Sequence, residues 1–259
     1  MKKLFVTAFL LLGLVQLSFC WNRTGHDAVA AIAERYLTPV AKERIEKYLG
    51  GHSIVYYASW MDYYRHYPEY AHTNYWHTAP VNSDNQYNDN LFMEPGNAIY
   101  GLEYAINNLK NYKNQPDSLV TVNLYYVIHI VGDMHCPVHV KYPDLNNYKV
   151  LMNGEGISYH TVWDGVVLDN NHQWSYTEWA DQLDRFSADE KVEIMSGTPR
   201  DWFHETAVAS RVIYDMAPAG TEIIQKDHRF LNNASVLADS QICKAGYRLA
   251  KVLNELFDN

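Results

Sequence analysis

Leu119-Val120-Thr121-Val122-Asn123-Leu124-Tyr125-Tyr126-Val127-Ile128-His129-Ile130-Val131-Gly132-Asp133-Met134 is the stretch whose reading decides the fold. It is apolar nearly all round, which predicts a buried, central helix rather than an amphipathic surface one. Pro116 starts it and Pro137 stops it. Two polar residues interrupt the apolar surface at its C-terminal end. His129 and Asp133 stand at i and i+4 and therefore share one face. Burying both without partners is costly. Gly132 between them lets another group come close, and His139 follows just past Pro137.

Outward from this helix the chain continues to read as helices. Thr38-Pro39 has the form of an N-cap followed by proline at the first helical position, and Gly50-Gly51 closes that helix. Ile99, Leu102, Ile106 and Leu109 recur at helical spacing between Gly96 and Tyr112. A run from Pro199 reaches Ile213 and Tyr214, and Val236 to Phe257 is a further long periodic stretch. Alternation of period two is almost absent. Asn82–Asn90 and Pro143–Tyr159 read as loops. There is no internal repeat and no linker, so the expectation is all-α, a single helical domain.

Composition narrows the function classes. The chain has 259 residues, 47% of them hydrophobic, which excludes global disorder. Its formal net charge is −9, from 21 basic and 30 acidic residues. That argues against holding duplex nucleic acid on a broad basic surface. It does not exclude an enzyme that grips phosphate with metal ions.

Residues 1–20 have the form of a secretory signal peptide. Lys2 and Lys3 make a basic start, Leu4 to Leu17 is an apolar run, and Ser18 and Cys20 are small residues two apart. Cleavage after Cys20 makes Trp21 the new N-terminus and leaves a domain of residues 21–259. Without Lys2 and Lys3 that domain keeps 19 basic residues against 30 acidic ones, a net −11. The expected location is periplasmic or secreted. A lipoprotein signal would instead keep Cys20, but Phe19 is bulky where such a signal needs a small residue. In the exported chain only Cys136 and Cys243 remain, and sequence does not say whether they pair.

Further polar residues join the pair in the apolar helix. His160 and Asp164 form a second i, i+4 pair. Asp62 lies in Ala58-Ser59-Trp60-Met61-Asp62, His77 in Trp76-His77-Thr78, and His26 five residues after the expected N-terminus. One such pair alone is an ordinary surface feature. Two pairs together with His139 point to a metal, and a mixed imidazole and carboxylate set suits zinc, with manganese or iron not separated by ligand type.

This set resembles that of the zinc-dependent nucleases of the fungal P1 and S1 type and the plant bifunctional nucleases, whose relatives include the bacterial zinc phospholipases C. The resemblance spans the chain from Trp21 through Asp164 into the C-terminal helices, and it implies the helical fold of that group. It implies three Zn2+ per chain. One is held by Asp62, His77, His129 and Asp133. A second is held by the backbone of Trp21, with His26 and the bridging Asp133. The third takes His139, His160 and Asp164. Arg65 falls where the family carries a basic residue near the phosphate; otherwise it is an ordinary surface arginine. Asp62, Arg65 and Asp133 are thereby the implied catalytic residues.

The implied activity is that of an endonuclease cutting single-stranded DNA and RNA to 5′-phosphate products, with 3′-nucleotides as further substrates. No stable membrane association and no protein partner is implied. The alternative is a zinc phospholipase C acting on membrane lipids. Those relatives separate their first Trp and His more widely and carry Glu at the place of Asp164. A non-catalytic zinc protein is a third reading, and closed four-ligand cages are the usual mark of one.

Two departures stand out. Thr78 follows His77 where fungal members place an aromatic that stacks on a base; Tyr75 and Tyr142 are substitutes in principle, with core packing the competing role for each. Cys136 lies between ligand histidines and is a ligand in principle, but it is expected to be structural, since the ligand set is full without it. His52, His66, His72, His135, His172, His204 and His228 are assigned by default to loops or surface, with His135 adjacent to the site.

Overall fold

The long apolar stretch forms a helix, and the rest of the chain wraps it. The computed structural model describes residues 21–225 and 227–258. The expected signal peptide lies outside the described residues. Helix α5 (Asp117–Asp133) begins after Pro116 and is buried along most of its length, from Val120 to Asp133. Three helices precede the one that pairs with it: α1 (Arg23–Arg35), α2 (Pro39–Tyr48) and α3 (Trp60–Tyr64). The Thr38 side chain caps α2 by accepting from the Ala41 N–H, with Pro39 at the first turn. Helix α4 (Ala98–Leu109) buries Ile99, Leu102 and Leu109 against α5.

The C-terminal half supplies the opposite wall. A short α6 (Tyr159–Thr161), a π turn (Val162–Val166) and α7 (Val167–Asn170) run on from one another. Then come α8 (Tyr176–Leu183), α9 (Ala188–Met195), α10 (Pro199–Ser210) and α11 (Ile213–Met216). Helices α8, α9 and α10 each begin with a reciprocal capping box: Ser175 with Glu178, Ser187 with Glu190, Thr198 with Asp201. The last helix, α12 (His228–Phe257), is the longest and packs chiefly against α1.

The architecture is all-α as expected, with two differences in detail. Helix α12 starts at His228 rather than near Val236, because the Asp227 side chain caps it by accepting from the Arg229 N–H. The segment Pro143–Tyr159, expected as a loop, carries an antiparallel hairpin of β3 (Lys149–Met152) and β4 (Glu155–Ser158). Its turn is Asn153-Gly154, both at positive φ, a dipeptide that favours two-residue hairpins. The other sheet is a two-residue parallel pair, β1 (Ala79–Pro80) with β2 (Val140–Lys141). It is small, yet it lays the chain just after His77 beside the chain just after His139. Among the described residues no helix is long and apolar enough to cross a membrane.

The α1–α12 crossing is tight at one point. A Cβ on Gly246 would lie 2.5 Å from Ile32 Cγ2, 2.6 Å from Ile32 Cβ and 3.2 Å from the Val29 carbonyl oxygen. Gly246→Ala therefore overpacks a buried contact, which costs about 1–3 kcal/mol and outweighs the roughly 1 kcal/mol that alanine gains in helix propensity. The thermal midpoint followed by circular dichroism is expected to fall by several degrees. An unchanged or raised midpoint would show that the helices separate freely at this crossing.

Candidate metal centre

Helix α5 delivers the first two side chains. His129 and Asp133 project from its last turn, fully buried. The His129 Nδ1 lies 2.8 Å from the Ala58 carbonyl oxygen. A carbonyl only accepts, so Nδ1 carries a proton and Nε2 turns toward the centre, where a metal would take the place of any proton on it. Gly132 opens the way for α1: a Cβ there would stand 3.0 Å from His26 Nδ1. His26 consequently stacks on His129, with ring centroids 3.9 Å apart.

Asp133 is the hub. Its Oδ1 lies 3.3 Å from His26 Nε2 and 3.4 Å from His139 Nδ1. Its Oδ2 lies 2.8 Å from His77 Nδ1 and 3.2 Å from His129 Nε2. Asp62, carried by α3, faces the same space, 3.8 Å from His129 Nε2 and 4.0 Å from both His26 Nε2 and His77 Nδ1. Arg65, one turn on, brings its Nη1 to 4.0 Å from Asp62. A second corner opens on the far side of His139. There His139 Nε2 is 3.6 Å from Asp164 Oδ1, and His160 Nε2 is 2.8 Å from Asp164 Oδ2. Trp21 is buried beside both corners: its indole N–H donates to the Gly132 carbonyl at 3.1 Å, and the next amide, Asn22 N–H, donates to the Asp164 carbonyl at 2.7 Å. Every one of the nine residues expected as ligands therefore lies in or against one cavity; His160 alone is partly exposed.

So many ionisable groups in a dry space compete for charge. Burial holds the His26 imidazole down to about 4 and His77 down to about 3. Burial opposes the charge on His129 too, yet Asp133 and Asp62 outweigh it and push its pKa up to about 9. Asp133, despite its burial, is held well below the usual carboxylate range by His129, His139 and His77. Asp62 is pushed up to about 7 by burial, against the pull of His129.

The hydrogen bonds do not close. His26 Nε2, Asp62 Oδ1, Asp133 Oδ1 and both ring nitrogens of His139 are buried with no hydrogen bond of ordinary geometry. Each such atom costs on the order of 1–3 kcal/mol. All point into the shared space, and together they are lone-pair donors of the kind that hold a divalent metal. Three sets have ligand atoms within 4.8 Å of one another: His26, His129 and Asp133; Asp62, His77 and His129; Cys136, His139 and Asp164. The donor chemistry and the unsatisfied atoms fit a metal centre.

Two features go beyond the sequence reading. The thiol of Cys136, expected to be structural though able in principle to ligate, donates to Asp164 Oδ1 at 3.5 Å. Both cysteines are free and buried. The other feature is a groove of about 940 Å³ lined by residues that flank Asp62 in the sequence, Tyr56, Tyr57, Trp60, Tyr63 and Tyr64, together with Tyr125 and others. The signal was present as aromatic residues on both sides of Asp62. Of the substitutes considered for an aromatic at Thr78, Tyr142 is committed to the core, its hydroxyl donating to the Ala207 carbonyl, whereas Tyr75 is exposed. His135 is buried, not superficial: its Nδ1 meets the Val131 carbonyl and its Nε2 meets Arg248.

Comparison with known proteins agrees with this geometry. Residues 21–258 match the family described as S1/P1 nuclease. The chain is 25% identical to Endonuclease 3 of Arabidopsis thaliana over 97% of its own length and 94% of the relative's. It is 24% identical to Nuclease P1 of Penicillium citrinum over 91% and 97% of the two chains. Against Nuclease S1 of Aspergillus oryzae the identity is 28%, over 59% of this chain and 56% of that one.

A ligand that binds only the folded state stabilises it by mass action. Chelator is therefore expected to lower the thermal midpoint, and excess divalent metal to restore it. A melting curve unmoved after metal analysis shows the ions gone would mean that the orphaned atoms are tolerated without metal.

Proposed function

We propose that this chain, a member of the S1/P1 nuclease family, is an exported zinc-dependent endonuclease that hydrolyses single-stranded DNA and RNA to 5′-phosphate products and also acts on 3′-nucleotides. Membership of the family makes it a nuclease; the remainder is our reading. The observation that carries it is the buried centre fused through Asp133, whose two oxygens face different imidazoles.

In this reading Asp62, His77, His129 and Asp133 hold one zinc. The Trp21 backbone, His26 and Asp133 hold a second, and His139, His160 and Asp164 a third. Bound there, zinc supplies Lewis acidity toward phosphoryl oxygens and water acidified enough to attack near neutral pH. The chain's own residues orient the substrate. The Arg65 guanidinium, beside Asp62, faces the developing charge on the phosphoryl oxygens. Ala58 holds the His129 ring by its Nδ1 proton, so the ring cannot turn away.

Support for single strands comes from the aromatic groove and the charge. The segment of residues 54–64 is two-faced: Asp62 points into the centre while Tyr56, Tyr63 and Tyr64 stay exposed. Stacking on such rings contributes about 1–3 kcal/mol per base and tolerates any sequence. Duplex bases are not available to stack, and an acidic domain lacks the counterion release that holds duplex DNA. The single-stranded member of a matched pair of labelled oligonucleotides is therefore expected to be cut at least tenfold faster than its annealed form, with 5′-phosphate ends. Tyr63→Ala and Tyr64→Ala should raise KM for single strands more than they lower kcat. Equal rates on both forms, 3′-phosphate ends, or preferential hydrolysis of phosphatidylcholine would overturn the proposal.

The role given to Trp21 makes processing a condition of activity. The Trp21 indole is held by the Gly132 carbonyl and the next amide, Asn22 N–H, by the Asp164 carbonyl, so the chain at residue 21 is tethered through its side chain and its neighbour. Export and cleavage after Cys20 would leave a free amine there. A cytoplasmic version that keeps one extra residue before Trp21 is expected to bind one zinc fewer and lose at least ninety-nine hundredths of its activity. Full metal content and full activity in that version would remove Trp21 from the ligand set.

A further inference from the structure

Cys136 occupies the turn that links the end of α5 to His139. Its N–H donates to the Asp133 carbonyl at 2.9 Å, and its own carbonyl accepts from the His139 N–H at 3.0 Å. The backbone thus ties it to a residue of each corner of the centre. The side chain is fully buried, and its sulfur turns toward Asp164. The sulfur, a His139 ring nitrogen and an Asp164 carboxylate oxygen all fall within 4.8 Å of one another. His139 is 1% exposed, and neither of its ring nitrogens makes a hydrogen bond.

The spacing is informative. A tetrahedral zinc with a sulfur at about 2.3 Å and an oxygen at about 2.0 Å keeps those two ligands about 3.5 Å apart. The Cys136 Sγ–H donates to Asp164 Oδ1 at 3.5 Å, and His139 Nε2 lies 3.6 Å from the same oxygen. Exchanging the thiol proton for a metal ion would keep sulfur and oxygen at that separation. His160 approaches from the partly exposed side, at the other oxygen of Asp164.

We propose that Cys136 is a thiolate ligand of the third metal position, joining His139 and Asp164. On binding, the Sγ–H bond breaks, the sulfur lone pair bonds to the metal, and the proton leaves to solvent. A thiolate and a carboxylate together neutralise a divalent ion, and the soft sulfur favours zinc over magnesium, calcium or manganese. The proposal rests on the reading of the cavity as a metal centre, and the test separates the two.

The probe is cobalt(II). The purified full chain is stripped with chelator, reloaded with cobalt(II) alone, and its absorption spectrum recorded with the bound cobalt counted. Visible ligand-field bands report metal in the centre; a near-ultraviolet sulfur-to-cobalt charge-transfer band reports a thiolate ligand. The expected result is that band in the wild type and in Cys243→Ala, whose own sulfur faces the Leu183 carbonyl. In Cys136→Ala the band is lost and bound cobalt falls by one ion per chain after dialysis. Should Cys136→Ala fail to fold, the spectra of the wild type and Cys243→Ala still decide the matter. Visible bands with full cobalt content and no charge-transfer band would overturn the thiolate and leave the metal centre standing. A band that disappears with Cys243→Ala would do the same. No bound cobalt at all would overturn both.

Discussion

A carboxylate in the middle of the protein governs the arrangement around it. Asp133 is completely buried and held in its charged form by imidazoles on several sides. An isolated charge at that depth would cost many kcal/mol. The surrounding chain is organised so that it is never isolated. Helix α5 ends at Asp133, Gly132 leaves the gap through which α1 brings His26, and the β1–β2 pair brings His77 and His139 to opposite oxygens. Each of these elements removed would leave the charge with fewer imidazoles around it. The centre is therefore a condition of the fold as much as a product of it.

The helical architecture and the identity of the central helix were legible because they rest on local signals: apolar periodicity, prolines at helix ends, and capping residues at helix starts. The candidate ligands were legible for a different reason. Aspartate and histidine in an otherwise apolar helix conflict with burial unless something satisfies them, so His129 and Asp133 stand out first, a second pair and His139 point to a metal, and the division into ligand sets comes from the resemblance. The hairpin at Lys149–Ser158 was not legible as strand, because its strands are short, only Val150 in them is fully buried, and apolar and polar residues do not alternate. The orientation of Cys136 was not legible either. Which way a residue in a tight turn faces depends on the chain that packs over it, here the segment holding Asp164. The aromatic groove was hidden by the same limit, since tyrosines that line a groove and tyrosines that fill a core look alike in a sequence.

The segment of residues 54–64 shows how one short piece of chain serves two environments. The Ala58 carbonyl and the Asp62 side chain face the dry centre, while Tyr56, Tyr63 and Tyr64 face water. A short 3-10 turn followed by a helix just over one turn long sets Ala58 and Asp62, four residues apart, toward the centre and leaves Tyr56, Tyr63 and Tyr64 to solvent. In the proposed function, an acidic chain does little to recruit a polyanion from a distance, which leaves recognition to contacts with rings such as these.

The two-residue pairing of Ala79 with Val140 and Pro80 with Lys141 works as a mechanical link between the His77 and His139 segments. Because the link sits immediately after both histidines, the chain beyond it is decoupled from their spacing. The excursion that follows the first histidine, residues 82–97, can lengthen, shorten or exchange sequence while the distance between His77 and His139 stays the same. The excursion of residues 143–158 is different, because it leads straight into His160 and Asp164 and so sets that corner of the centre.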